Sequence, residues 1–113
     1  MKIKIDSAAD SIEMISLDGD LDFNSSPDAR REFGKIAEKK SSKVLVNLEK
    51  VNYIDSSGLA TFIELFQKIK KAGGKLALFN LKQSVRNVFE IAKLDSVFSL
   101  AKSQEEALSL TAS

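Results

Sequence analysis

Asp55-Ser56-Ser57-Gly58 holds the best-placed reactive group of the chain, because a short apolar strand pattern ends there and a strongly amphipathic helix pattern begins. A hydroxyl at a helix start lies beside backbone N–H groups that no helical carbonyl satisfies, and beside the positive end of the helix dipole. Such a place tolerates a phosphate, so Ser56 reads as a modifiable hydroxyl. Ser, Asp and Gly are also favoured at helix starts for their own sake, and capping alone accounts for this composition. Residues elsewhere have to separate the two readings.

Other groupings offer less. Asp18, Asp20 and Asp22 alternate as they do at the start of a twelve-residue calcium loop. With Asp18 first, the sixth position is Phe23 where a glycine is needed, and the twelfth is Ala29 where a bidentate glutamate is needed. A solvated turn is the better account, and no metal site is expected. Gly73-Gly74 follows a helix pattern and lacks the spacing of a phosphate loop, so it reads as a helix stop. The chain has no cysteine and no histidine, which removes disulfides, thiolate nucleophiles, histidine-based metal sites and the Ser-His-Asp triad. No catalytic residue and no cofactor is assigned. An enzyme working through carboxylates near Asp22 would lack the commonest acid and base near neutral pH.

The 17 basic and 16 acidic side chains nearly cancel to a formal charge of +1 and are interspersed, which argues against direct nucleic-acid binding. Met1-Lys2-Ile3-Lys4-Ile5-Asp6 alternates charged and apolar residues instead of forming a leader-like apolar run, and no stretch is long enough to span a bilayer. A cytoplasmic protein is expected. At 113 residues and 43% hydrophobic content, a single domain over residues 1–113 is expected.

The elements that must position Ser56 follow from periodicity. Ile3 and Ile5, then Ile12, Met14 and Leu17, predict two strands with one buried face, joined by a turn at Ser7 to Asp10. Ser26 suits an N-cap with Pro27 at the first helical position, and Ala29, Phe33, Ile36 and Ala37 continue a helix to Lys39 or Lys40, with a solvated charged face that includes Arg30 and Glu32. Lys43 to Leu48, with Val44, Leu45 and Val46 consecutive, predicts a strand covered on both faces at the sheet centre. Leu59, Phe62, Ile63, Phe66 and Ile69 line one stripe of the second helix, which ends in lysines and Gly73-Gly74. A strand at Lys75 to Phe79, a helix carrying Val85, Val88, Phe89 and Ala92, a short apolar run at Val97 to Leu100, and a helix capped by Ser103 with Ala107 and Leu110 inward complete the chain. The order β-β-α-β-α-β-α-β-α predicts an α/β fold: a mixed, mostly parallel sheet of about five strands with an N-terminal antiparallel hairpin and helices packed on it.

The segment from Val44 to Gly74, VLVNLEKVNYIDSSGLATFIELFQKIKKAGG, closely resembles the STAS domain of anti-sigma factor antagonists, and Gly19-Asp20-Leu21-Asp22, the Lys75 to Phe79 strand and the helix with Val85 and Phe89 extend the likeness over nearly the whole chain. The resemblance implies that Ser56 is the phosphorylation site, that Ser57 is the neighbouring cap, and that Asp22 stands beside the acceptor. Asp22, Asp55, Ser57 and Gly58 are thereby implied in partner binding. The implied partners are an anti-sigma factor serine kinase and a metal-dependent serine phosphatase. The unphosphorylated chain, a monomer when free, would bind the kinase and release a sigma factor, and phosphorylation would reverse this. Within the same family, the competing role is an accessory subunit of a lipid-transporting ABC complex.

Overall fold

In a computed structural model describing residues 1–9, 12–40 and 43–112, the nine elements follow the expected order: β1 (Lys2–Ala9), β2 (Ile12–Asp18), α1 (Ser26–Glu38), β3 (Lys43–Lys50), α2 (Ser56–Lys71), β4 (Lys75–Phe79), α3 (Gln83–Ile91), β5 (Ser99–Ala101) and α4 (Gln104–Thr111). Strand order in space equals strand order in sequence, β1-β2-β3-β4-β5. The β1–β2 pair is antiparallel and every later pair is parallel. Of the turn expected at Ser7 to Asp10, Ser7 to Ala9 belong instead to β1, and Asp10 lies outside the described residues.

A crossover that advances by one strand each time, always with the same hand, leaves every connecting helix on one face of the sheet. The packing agrees: Phe33 and Ile36 of α1, Phe62, Leu65 and Ile69 of α2, and Val85 and Phe89 of α3 share one core with Ile15 and Leu17 of β2, Val44, Val46 and Leu48 of β3, and Leu76 and Leu78 of β4. A run of aromatic rings ties these helices together, Phe33 to Phe62 at 5.5 Å, Phe62 to Phe89 at 6.0 Å and Phe89 edge-on to Phe98 at 5.5 Å between centroids. Helix α4 covers the opposite face, where Ala107 packs with Met14, Leu45, Ala77, Phe79 and Ala101. β3 is therefore the central strand with both faces buried, as its unbroken apolar run requires.

Several local expectations shift. β2 buries residues on both faces, since Ile15 and Leu17 stand opposite Ile5 and Ile3 under α1 to α3 while Met14 faces the α4 side. In α2 the fully buried positions include Leu65 and Thr61, whereas Leu59, Ile63 and Phe66 pack at the margin. In α4 it is Thr111 that turns inward, its hydroxyl donating to the Ala107 carbonyl at 3.0 Å, and Leu110 remains 47% exposed. An eight-residue helix has too few turns for its apolar positions to define its phase, so packing under β3 to β5 decides it. α2 ends as expected, with Gly73 at φ +82° and the Gly74 N–H bonded to the Ile69 carbonyl.

Candidate functional site

The loops that leave β2 and β3 run side by side beyond the sheet's carboxyl edge. The Gly19 N–H donates to the Lys50 carbonyl at 3.1 Å, the Leu21 N–H to the Tyr53 carbonyl at 2.9 Å, and the Asp55 N–H to the Leu21 carbonyl at 3.2 Å. Leu21 and Ile54 form a parallel bridge and are both buried, so the two loops are a continuation of the β2–β3 ladder. This extension carries both sequence-nominated turns to the same place.

The first turn of α2 rests directly on it. A Cβ on Gly58 would come within 2.6 Å of the Leu21 carbonyl oxygen and 2.7 Å of Ile54 Cγ1, closer than side-chain carbons approach, so only glycine fits. Asp55 is the N-cap: its Oδ1 accepts from the Ser57 N–H at 2.9 Å and the Gly58 N–H at 3.1 Å. Its other oxygen, Oδ2, accepts from the Phe23 N–H at 3.1 Å across the two loops. The cap is thus Asp55 and not Ser57, whose carbonyl instead accepts from the Thr61 hydroxyl at 2.9 Å. The expectation of unsatisfied N–H groups beside Ser56 is corrected too, because the Asp55 carboxylate already occupies those of the next two residues.

Asp22 organises the neighbouring turn in the same manner. Its Oδ1 accepts from the Asn24 N–H at 2.9 Å and the Ser25 N–H at 3.1 Å. The α1 N-cap is Ser25, one residue before the expected Ser26, and it caps nothing with its side chain. The Ser25 hydroxyl donates back to the Asp20 carbonyl at 2.7 Å, and the buried Ser26 hydroxyl donates to the Asp22 carbonyl at 2.6 Å. Both serines are spent on holding the turn that precedes the helix. Among the described residues no three acidic side chains are grouped as ligands of a metal ion would be.

Ser56 is exposed, and its hydroxyl makes no hydrogen bond among the described residues. It opens on a groove of about 360 Å³ between the starts of α1 and α2, bordered by Phe23, Pro27, Arg30, Ser56, Ser57 and Ala60. Asp22, Asp55, Ser56, Ser57 and Gly58 are therefore brought together, with Gly58 buried beneath and unavailable for contact. The arrangement presents a hydroxyl, unengaged among the described residues, at a helix start between two carboxylate-bearing turns. Three residues enter that sequence reasoning passed over. Phe23, 77% exposed, and Tyr53, 53% exposed, are large apolar groups on the two loops, and an aromatic inside an otherwise polar turn was the available signal for Phe23. Arg30, read as solvated surface, borders the groove and pairs with Glu64 at 2.8 Å.

Against known proteins, the STAS domain family model matches residues 6–107. The anti-sigma-B factor antagonist of Bacillus subtilis (strain 168) is 31% identical over 91 residues, covering 80% of this chain and 83% of its own. Two solved structures share the fold. A crystal structure of an anti-sigma factor antagonist from Mycobacterium paratuberculosis superposes with a TM-score of 0.88 at 19% identity, covering 97% of this chain and 92% of that one. The Bacillus cell fate determinant SpoIIAA in its phosphorylated form gives a TM-score of 0.75 at 20% identity, covering 98% of this chain and all, 100%, of its own.

Proposed function

This chain belongs to the STAS domain family of anti-sigma factor antagonists, regulators rather than enzymes, and we propose that it acts by a partner switch in which Ser56 carries the signal. In the unphosphorylated form the surface around Asp22, Phe23, Asp55 and Ser56 binds an anti-sigma factor that is a serine kinase, and a sigma factor is released. Phosphorylation of Ser56 dissociates the pair, and a metal-dependent serine phosphatase restores it. The observation that carries this reading is the exposed hydroxyl of Ser56, free of hydrogen bonds among the described residues, at the rim of a groove. The phosphorylated form of a structurally similar protein supports it.

The chemistry divides cleanly between the partners. The kinase supplies ATP, magnesium and the group that takes the serine proton; the Ser56 oxygen attacks the γ-phosphorus and ADP leaves. This chain contributes position: α2 begins at a fixed point on the Leu21–Ile54 ladder, so the hydroxyl is presented without a loop having to order. The added group brings about −1.5 to −2 charges beside Asp22 and Asp55. A partner surface matched to the uncharged hydroxyl then meets a concentrated negative patch, and like-charge mismatch of this kind costs several kcal/mol, on the order of a hundredfold in affinity.

The test is phosphosite mass spectrometry on protein from its native cells, joined to capture of partners by wild type and by Ser56→Asp. Phosphate on Ser56 and a serine kinase retained by wild type alone is the expected result. Absence of phosphate, with a transporter ATPase or permease captured equally by both proteins, would replace this reading with the ABC-accessory role.

A further inference from the structure

A phosphate on Ser56 needs positive charge or N–H donors, and the start of α2 has few left. Asp55 Oδ1 holds the amides of Ser57 and Gly58, and the Leu59 N–H bonds the Asp55 carbonyl. Asp55 and Asp22 themselves repel the incoming charge. The basic side chain that borders the same groove as Ser56 is Arg30, one turn into α1. It is engaged with Glu64, Nε to Oε2 at 2.8 Å, and the two side chains are 48% and 44% exposed. Exposed pairs of this kind are weak. Ser56, Ala60 and Glu64 follow one another at intervals of four along a single face of α2, so Glu64 lies about 12 Å along the axis from Ser56, with only the small Ala60 between them.

Resting on the reading that Ser56 is phosphorylated, we propose that Arg30 is the internal ligand of that phosphate: its guanidinium exchanges Glu64 for the phosphoserine and leaves the Glu64 carboxylate unpaired on the face of α2. A near-dianionic phosphate with three acceptor oxygens outcompetes a single carboxylate for a planar, forked donor. No covalent bond changes in this exchange, only the partner of one cation. Phosphorylation thereby alters the surface at two points, adding charge at Ser56 and uncovering a carboxylate two helical turns away. The other charged pairs on α1, Arg31 with Asp28 at 2.8 Å and Lys35 with Glu32 at 3.1 Å, are internal to their own helix and take no part.

The experiment installs phosphoserine at position 56 during translation of the full chain, so that no kinase is required, and follows it by phosphorus NMR against pH. The cation favours the dianion while the Asp22 and Asp55 carboxylates oppose it, so the second phosphate ionisation of wild type is the reference against which the variants are read. Arg30→Gln should raise it by about 0.3–0.7 unit, a twofold to fivefold change in the protonation equilibrium. Glu64→Gln, which frees Arg30 without removing it, should lower it. In wild-type protein the Arg30 Nε–H resonance should move on phosphorylation, a readout that needs no variant to fold. Titration curves that coincide for all three proteins, with an unmoved Nε–H, would overturn the exchange. Failure of the partner switch itself would appear elsewhere, as an unphosphorylated Ser56 in native cells.

Discussion

Two aspartates do the same job in adjoining turns and differ in one oxygen. Asp22 and Asp55 each use Oδ1 to accept from the amides two and three residues on, at 2.9 and 3.1 Å in both cases. Asp55 also spends Oδ2 on the Phe23 amide, so it fastens the α1 turn to the α2 turn, whereas Asp22 serves only its own. The helices that follow differ in a matching way. The first turn of α2 is pressed against the Leu21–Ile54 ladder through Gly58, while Gly34 inside α1 has open space around it. The lesson is that the start of α2 is seated directly on the loop ladder, whereas the start of α1 is held through the hydrogen bonds of its own turn. A residue at the start of α2 can receive a bulky charged group without displacing its scaffold.

The contrast can be broken most severely at Gly58. Gly58→Ala forces a Cβ onto a backbone carbonyl that cannot move without tearing the loop ladder, and should destabilise the protein by about 2 kcal/mol despite the better helix propensity of alanine. In a thermal melt this amounts to a fall on the order of 10 °C. Next comes the aspartate pair. Asp55→Ala should cost about 1.5–2 kcal/mol and Asp22→Ala about 1 kcal/mol by urea unfolding, the difference being the bond to the Phe23 amide. Equal losses would mean that this cross-loop bond contributes nothing. Gly34→Ala should work in the opposite direction and stabilise by about 0.5–1 kcal/mol, because a methyl there meets no atom and the interior of α1 gains helix propensity. The smallest change is expected for Ser56→Ala, within about 0.5 kcal/mol by the same unfolding assay, since the hydroxyl holds nothing in place. That substitution should nevertheless abolish phosphate incorporation by the kinase partner, which separates a signalling role from a structural one at a single atom.

Legibility in the sequence followed the range of the interactions. The order of nine elements, the central position of β3 and the end of α2 at Gly73 all depend on patterns within a few residues, and they could be read directly. The site was legible as the clustering of Asp55 and Ser56 at a strand-to-helix junction. What escaped was settled by residues far apart in the chain. Asp55 binds Phe23 over 32 positions, Arg30 binds Glu64 over 34, and Gly58 answers to Leu21. Ser26 looked like a cap because Pro27 follows it, yet the turn closed by Asp22 claims its hydroxyl and shifts the cap to Ser25. Leu110 was assigned inward on hydrophobicity alone, and the close approach of α4 to the sheet admits the smaller Thr111 in its place.

The coincidence of spatial and sequential strand order bears on how the molecule is made. Each strand docks beside the one just before it, so no segment has to wait for a distant partner, and the loop entropy of each step is that of one hairpin or one crossover. Parallel sheets are ordinarily slow to assemble because their pairings are non-local. Here the non-locality is kept to its minimum, and the sheet can grow from its amino-terminal hairpin in the direction of synthesis. Every residue of the joint between the β2 and β3 loops, and of the groove beside it, precedes β4 in the chain.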